Sequence, residues 1–311
     1  MVLTFSALLL QVFGVENVIG SDIKQTPSTY RMLSRVDLGP PMVYADVASF
    51  DGLARIVLEH GITHVVHLAS LLSAIGEQNP QLAIKVNSRG TENILEVARL
   101  NNLKVFIPSS IAAFGPSSPK DDTPNECSMR PTTVYGVTKV YTELMGEYYH
   151  QRYGVDFRSL RFPGIISSEV PPGGGTTDYA VAIYYQALKH GRYTCFLEEN
   201  QVLPMMYMPD CLKSVSDLMQ APNESLTRRS YNITGMSFTP KDLAASIQRK
   251  MRHFEMSYDV DFRQKIAESW PRTIDDSTAR ADWGWKPDYD IDEMTDSMLN
   301  RLGARDSIRA P

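Results

Sequence analysis

Residues 63–68 read THVVHL, a short continuous run of mostly β-branched and apolar residues with no regular alternation. A strand that is covered by helices on both faces has this pattern, because neither face meets water. Helical stretches lie on either side of it, at residues 50–60 and 80–100. Helices and a buried strand in this order predict a parallel sheet with crossover helices.

The same alternation continues in both directions along the chain. It predicts strands at residues 17–22, 42–46, 104–110 and 156–162, and a long helix at residues 134–153. Beyond Pro163 the elements become shorter and less regular. Glycines and prolines concentrate in PPGGG at 171–175, and a strand at 204–208 and a helix at 209–220 follow. We therefore predict an α/β fold, with a Rossmann-type doubly wound domain over residues 1–162 and a smaller substrate-binding lobe over residues 163–311.

The composition excludes several classes of protein. The 311-residue chain has a net charge of −5 and no cluster of Lys and Arg, which argues against binding to nucleic acid or to an anionic membrane. No apolar run reaches about 18 residues, so we expect no membrane span. The apolar start of the chain lacks the basic residues of a signal peptide. Cys127, Cys195 and Cys211 have neither metal nor redox spacing, so we expect free thiols and no metal site.

One motif in the predicted helix at 134–153 carries chemistry. Tyr135 and Lys139 are four residues apart, which places both side chains on one face of the helix. A phenol ionises near pH ~10, and a nearby ammonium group lowers that pKa, so the pair can supply a general base. Ser110 ends the strand KVFIPSS, at the sheet edge where ligands bind in doubly wound folds. It can orient a substrate hydroxyl or merely cap a turn, whereas Ser109 is expected to be structural.

Several segments carry a resemblance to a known family. They include HLASLLSAIGE at 67–77, YGVTKVYTELMGEYY at 135–149, GGGTTDYA at 173–180 and LPMMYMPD at 203–210. In order and spacing they resemble the L-threonine 3-dehydrogenases, which are NAD-dependent enzymes of the extended short-chain dehydrogenase type. The resemblance implies oxidation of L-threonine at C3 to 2-amino-3-oxobutanoate, with hydride transfer to NAD.

The resemblance also implies roles for individual residues. Tyr135 would be the base, Lys139 would tune it and bind the nicotinamide ribose, and Ser110 would orient the hydroxyl. The implied NAD contacts are Asp22, Ile23, Asp46, Val47, His67, Leu68, Ala69, Tyr135, Lys139 and Ile165. A carboxylate at Asp22 disfavours the 2′-phosphate of NADP. Without the resemblance, the default interpretation of His67 would be a packed strand histidine.

Substrate recognition requires partners for an ammonium and a carboxylate group. The residues that the resemblance implies are Ser73, Ser110, Tyr135, Gly175, Thr177 and Trp270. Residues 173–175 are glycines, which suit a loop that closes over a small amino acid but equally suit a surface turn. Asp178 is a candidate partner for the ammonium group or a cap for the following helix. Trp270 can instead be an apolar anchor of the smaller lobe.

The glycine-rich phosphate-binding loop has no counterpart in this sequence. In a Rossmann unit that loop lies about 20 residues before the acidic residue, which from Asp22 leads back to the first residues of the chain. We therefore interpret residues 1–14 as the crossover helix that follows the loop, and expect weak NAD binding and marginal folding.

Two other functions remain open on the sequence alone. An NAD-dependent sugar-nucleotide epimerase or dehydratase would share the fold and the Tyr135–Lys139 pair, and a catalytically dead regulatory protein would share the fold alone. The resemblance further implies a homodimer that packs through the Tyr135 helix and its neighbour. It also implies a mitochondrial location, with a cytoplasmic one as the alternative.

Overall fold

In the computed structural model of the protein, residues 9–10, 12–24 and 42–309 are described. Strands β1 (Gly20–Asp22) and β2 (Met42–Tyr44) form a parallel pair. The main sheet contains β3 (His64–Val66), β4 (Lys104–Phe106), β5 (Ser109–Ser110), β6 (Asp156–Phe162) and a strand from much later in the chain, Ser230–Asn232, which we label β10. Its order is β10-β6-β4-β3, β5 also pairs with β6, and every pairing is parallel. The predicted α/β fold with a parallel sheet is confirmed.

Between residues 42 and 162 the chain forms five α-helices, which we number in chain order. They are α1 (Phe50–Glu59), α2 (Ser73–Gln78), α3 (Pro80–Ile84), α4 (Gly90–Asn101) and α5 (Val134–Tyr153). A single π-helical turn, Lys85–Arg89, joins α3 to α4. The helix predicted at residues 80–100 is therefore interrupted by a turn that its apolar spacing does not reveal. The bounds predicted for α5 and β6 are confirmed.

The strand predicted at residues 104–110 is also interrupted. The chain leaves the sheet after Phe106 and returns at Ser109, with Pro108 between them. A proline has no N–H group to donate to the ladder. The Pro108 carbonyl instead accepts a hydrogen bond from a side chain of α5, described below.

Apolar side chains fill both faces of the main sheet. Val105 and Phe157 face a cluster that includes Leu53 of α1 and Leu95 of α4. Residues that point the other way, such as Phe106 and Leu160, pack against helix α7 (Met208–Gln220) and Trp285. Alternate residues of one strand thus enter opposite cores, which explains why the strand sequences are apolar without alternation.

The remaining elements build a smaller lobe. Strands β7 (Gly164–Ile166), β9 (Leu203–Tyr207) and β11 (Met236–Phe238) form one sheet, and β8 (Arg192–Cys195) pairs in parallel with β12 (Glu255–Tyr258). The helices are α6 (Tyr179–His190), α8 (Pro240–Lys250), α9 (Arg263–Ser269), α10 (Ser277–Trp283) and α11 (Ile291–Arg309). A third apolar cluster, centred on Tyr184 and Leu243, holds this lobe together. Because β10 and α7 pack with the main sheet, the chain passes between the two lobes more than once.

The start of the chain is described only in part. Leu9, Leu10, Val12 and Phe13 have helical backbone, and the rest of the crossover helix expected before Gly14 lies outside the described residues. Within the described ranges, no helix is both long enough and apolar enough to cross a membrane.

Candidate active site

The carboxyl ends of the parallel strands bring the predicted site residues to one edge of the fold. Asp22 ends β1, and Ser110 ends β5. His67 follows β3 directly, and its backbone N–H donates to the Phe106 carbonyl at 2.9 Å. This edge is the place where doubly wound folds bind their ligands.

Helix α5 presents Tyr135 and Lys139 towards the same edge. Its first turn is capped by Thr133, whose hydroxyl accepts from the Gly136 N–H at 3.1 Å. The Lys139 ammonium nitrogen lies 5.2 Å from the centre of the Tyr135 ring. The two side chains predicted to act together are therefore neighbours on one helix face.

The Lys139 ammonium group is buried beneath the phenol. Its Nζ donates a 2.7 Å hydrogen bond to the Pro108 carbonyl, where the chain leaves the sheet between β4 and β5. Burial lowers the pKa of Lys139 to about 8, and the Glu143 carboxylate one turn further along α5 acts in the opposite direction. The break at Pro108 thus supplies an acceptor that fixes the lysine.

The Tyr135 phenol does not have the lowered pKa that its spacing from Lys139 predicts. Burial raises the pKa of Tyr135 to about 12, because a phenolate loses more from the absence of water than a phenol does. A hydrogen bond with Ser110 acts in the opposite direction but is outweighed. The predicted neighbours are in place, but the expectation of a phenol with a lowered pKa was wrong.

The two adjacent serines of β5 point to different partners. The Ser110 hydroxyl accepts from the Ala112 N–H at 3.2 Å and meets the Tyr135 phenol. The Ser109 hydroxyl is buried and donates to the Glu143 carboxylate through a short hydrogen bond. Ser109 is thus held by a buried partner, as expected, whereas the Ser110 hydroxyl caps the turn Ile111–Ala113, the alternative that the sequence left open, and also lies next to the phenol.

His67 is buried and close to this group. Burial, and then the charge of Lys139, lower the pKa of His67 to about 4. The ring is therefore neutral at physiological pH. A Cβ placed on Gly90 of α4 would lie 3.5 Å from the His67 Nε2, which shows how closely α4 approaches this turn.

The residues predicted to hold the adenosine end of a dinucleotide lie at the ends of β1 and β2. The Asp22 carboxylate is half-buried and accepts from the Lys24 N–H at 2.8 Å, while the side chain of Ile23 is exposed. Asp46 accepts from the Ala48 N–H at 2.9 Å and borders a surface cleft of about 350 Å³ at the start of α1. Val47 points elsewhere, towards Gly90. A carboxylate beside an open cleft, here that of Asp46, fits the hydroxyl donors of an adenosine ribose.

The turn after β3 contains one polar atom that lacks a partner. The hydroxyl of Ser70 is buried and has no hydrogen-bond partner among the described residues. Two residues of the same turn precede it. Leu68 packs on the core together with Ile165 of β7, and Ala69 is exposed. An orphaned hydroxyl in the turn that carries the predicted ribose contacts fits a polar ligand at this place.

The glycine-rich stretch before α6 is held by Asp178. One carboxylate oxygen of Asp178 accepts from the Gly173 N–H at 2.6 Å and from the Gly175 N–H at 2.9 Å. The side chain makes no capping bond to α6, so the alternative of a helix cap was wrong. The methyl group of Thr177 packs against Gly164 at the start of β7. This arrangement brings Thr177 next to the strand that carries Ile165.

Trp270 lies at the junction of two apolar clusters. It follows α9 and is half-buried between the core of the smaller lobe and a small cluster formed by Ile111, Phe114 and Ile274. Ile111 directly follows Ser110, so Trp270 lies close to the end of β5, and its packing also fits the alternative of an apolar anchor. Ser73 begins α2, and its side chain lies outside what the structure describes.

Two buried residues beside this group were missed by the sequence analysis. Asn87, in the π turn, donates to the Leu71 carbonyl and to the Thr138 hydroxyl at 3.1 Å and accepts from the Leu71 N–H at 2.8 Å, which ties the turn after β3 to α5. Glu143 forms a buried ion pair with Arg161 of β6 at 2.7 Å. Glu143 is four residues beyond Lys139, so the helical spacing that pointed to Lys139 was a usable signal. No comparable local signal marks Asn87.

The fold and this arrangement together define a class of protein. Residues 7–234 match the sequence profile described as the NAD dependent epimerase/dehydratase family. The chain therefore belongs to the NAD-dependent epimerase/dehydratase family. A mitochondrial L-threonine 3-dehydrogenase of Sus scrofa is 49% identical over 304 residues, which are 97% of this chain and 80% of that protein.

Solved structures agree with this similarity. The crystal structure of an L-threonine dehydrogenase from Phytophthora infestans is 55% identical, has a TM-score of 0.92 and covers 97% of this chain and 95% of that one. A GalE-like L-threonine dehydrogenase from Cupriavidus necator, solved in a holo form, is 47% identical with a TM-score of 0.91, and 96% of each chain is covered. Close relatives of this protein are thus L-threonine dehydrogenases.

Proposed function

We propose that the protein is an NAD-dependent L-threonine 3-dehydrogenase that oxidises the C3 hydroxyl of threonine to give 2-amino-3-oxobutanoate. One observation carries the proposal: the Ser110 hydroxyl interacts with the Tyr135 phenol, and the buried Lys139 ammonium group lies against the phenol ring. Similarity to L-threonine dehydrogenases over 96–97% of the chain supports this substrate.

Ser110 and Tyr135 have different roles at the substrate hydroxyl. Ser110 orients the C3 hydroxyl, since its own oxygen is held by the Ala112 N–H. Tyr135 removes the hydroxyl proton as the C3–H bond breaks and the C3 carbonyl forms. NAD, when bound, would supply the acceptor for the C3 hydride and a positively charged nicotinamide ring, and a cation lowers the pKa of a nearby phenol.

The proposed NAD contacts follow the strand ends. Asp22 and Asp46 would bind the adenosine, with Ile23 and Val47 beside them. His67, Leu68 and Ala69 would line the ribose and pyrophosphate, and Ile165 would lie beside the nicotinamide. Lys139 would bind the nicotinamide ribose. For threonine, Gly175 and Thr177 would line the amino-acid end, together with Trp270 and Ser73.

A direct assay tests the proposal against its rivals. The purified protein should form NADH in the presence of NAD and L-threonine, and should turn over UDP-glucose at a far lower rate. Turnover of UDP-glucose without threonine-dependent NADH would instead indicate a sugar-nucleotide epimerase. If the protein turns over neither substrate but binds NAD in calorimetry, a regulatory protein would be indicated.

We further propose a homodimer that packs through α5 and the neighbouring α4. Val137, Leu144 and Tyr148 lie along one face of α5 and are at least half exposed, as is Leu100 of α4. An apolar stripe of this kind on a solvent-facing helix is typical of an interface. Sedimentation of the wild-type protein and of Leu144→Lys tests this, because a monomer in both cases would contradict it.

The location in the cell is proposed on similarity alone. The relative from Sus scrofa is a mitochondrial enzyme, which supports a mitochondrial location for this protein. Fractionation of cells that express the protein would decide between mitochondria and cytoplasm.

A further inference from the structure

Beneath the catalytic residues lies a carboxylate that takes no part in the proposed reaction. Glu143 is on α5, one turn beyond Lys139, and its side chain is almost fully buried. A buried carboxylate costs free energy unless it is paired and hydrogen-bonded. Its partners therefore show what the fold uses it for.

These partners come from two different strands. The Ser109 hydroxyl of β5 donates to Glu143 Oε1. Arg161 of β6 donates through Nη2 at 2.7 Å and through Nε at 2.9 and 3.1 Å, so its guanidinium group meets both carboxylate oxygens. One side chain thus joins the helix that carries Tyr135 and Lys139 to the strand that carries Ser110.

Arg161 extends the connection to the rest of the molecule. Its Nη1 donates to the Asn125 carbonyl at 2.6 Å and to Asn232 Oδ1 at 3.0 Å, at the end of β10. The guanidinium group is therefore fixed from the side opposite to Glu143. A carboxylate held by a fixed arginine cannot follow small movements of β5, and it resists them instead.

The charged groups around this pair are few. Glu147 on α5 and Cys127 in the loop before it lie close enough to interact with the pair. Lys139 is faced by Glu143, by Tyr135 and by His67 from the turn after β3. Glu143 is therefore the anion that opposes the effect of burial on the Lys139 ammonium group.

We propose that Glu143 is a positioning residue, which holds Ser109, and through it Ser110, in register with Tyr135 and Lys139. The proposal rests on the proposed function, since it assigns a purpose to the exact placement of those three groups. Glu143 touches neither substrate nor cofactor and acts through Ser109 and Lys139.

Two substitutions separate the parts of this role. Ser109→Ala removes the tie to β5 and leaves the ion pair intact, so kcat should fall about tenfold while the KM for threonine and the pH profile stay unchanged. Glu143→Gln keeps an acceptor for Ser109 but removes the charge. It should lower kcat about 100-fold and move the acid limb of the pH profile to lower pH, because a lysine–phenol pair without a nearby anion releases a proton more easily.

A matched control comes from the smaller lobe. Thr295→Val removes a buried hydroxyl that hydrogen-bonds Tyr184 at 2.9 Å, far along the chain from the catalytic residues. It should destabilise the protein in thermal unfolding and leave kcat unchanged. If Ser109→Ala also keeps the wild-type kcat, the positioning role is wrong.

Hydrogen exchange provides a readout that needs no activity. The Ala112 N–H is bound to the Ser110 hydroxyl, so exchange in the peptide over residues 107–114 reports the placement of Ser110. It should accelerate in Ser109→Ala but not in Thr295→Val, and it should accelerate less in Glu143→Gln, which keeps an acceptor for Ser109 but loses the ion pair with Arg161. Unchanged exchange in both variants would overturn the inference, even if Glu143→Gln is unstable. If the wild-type protein makes no NADH from threonine, the proposed function fails, and exchange alone decides the role of Glu143.

Discussion

Gly136 is the point of contact between α5, which carries Tyr135 and Lys139, and the turn that follows Ser110 at the end of β5. A methyl group placed on it would lie 2.2 Å from the Ala112 carbonyl oxygen and 2.6 Å from Pro131 Cβ. Ordinary van der Waals contact begins at 3.4 Å, so Gly136→Ala must move the helix away from Ala112 by about 1 Å. Tyr135 moves with the helix, whereas Ser110 stays with Ala112, because the Ala112 N–H binds its hydroxyl.

This displacement should change both kcat and the free energy of unfolding. A misplacement of about 1 Å between groups that act on one substrate atom lowers kcat on the order of 100-fold. The extra methyl group costs about 1–3 kcal/mol of unfolding free energy as overpacking, and the better helix propensity of alanine returns about 1 kcal/mol. We therefore expect a protein that folds and turns over threonine poorly.

The measurement pairs steady-state NADH formation with urea unfolding of the same samples. Gly303→Ala is the control, since Gly303 lies within α11 and a methyl group there meets nothing within 4 Å. It should stabilise the protein by about 0.5–1 kcal/mol and leave kcat unchanged. If folded Gly136→Ala retains kcat within twofold of wild type, the close approach of helix and strand does not position the catalytic groups.

Three further predictions concern single residues. Tyr135→Phe should abolish NADH formation but keep NAD binding by calorimetry, because it removes only the base. Asp22→Ala should raise the KM for NAD. It should also reduce the preference of the enzyme for NAD over NADP, measured as the ratio of the rates with the two cofactors. The unfolded state protonates His67 below pH 6.5 and the folded state only below about 4, so the unfolding free energy should fall as pH decreases through this range. The loss amounts to about 3 kcal/mol at 1.36 kcal/mol per unit, and urea unfolding of His67→Gln should lack it.

Local sequence patterns predicted those features that depend only on residues close together in the chain. The bounds of α5 and β6 follow from apolar spacing, and the Tyr135–Lys139 neighbourhood follows from the helical repeat. These features depend on residues a few positions apart, which periodicity reports directly. The fold class and the strand ends could therefore be predicted.

Other features depend on contacts between distant parts of the chain. β10 joins β6 from about 70 residues further along, and Ser109 meets Glu143 across 34 positions. The raised pKa of Tyr135 likewise depends on burial by several elements at once. A single sequence contains no measure of such burial, so the spacing of Tyr135 and Lys139 predicted that they are neighbours but did not predict the pKa of the phenol.

The π turn between α3 and α4 has a consequence for protein engineering. Stabilisation by design commonly replaces irregular stretches of a helix with ideal geometry. Deleting one residue from Lys85–Arg89 would give a continuous helix of better local geometry. It would also rotate the Asn87 amide away from Leu71 and release the turn after β3 from α5. In this protein an idealised helix would therefore lose buried hydrogen bonds and, with them, the architecture that shapes its binding edge.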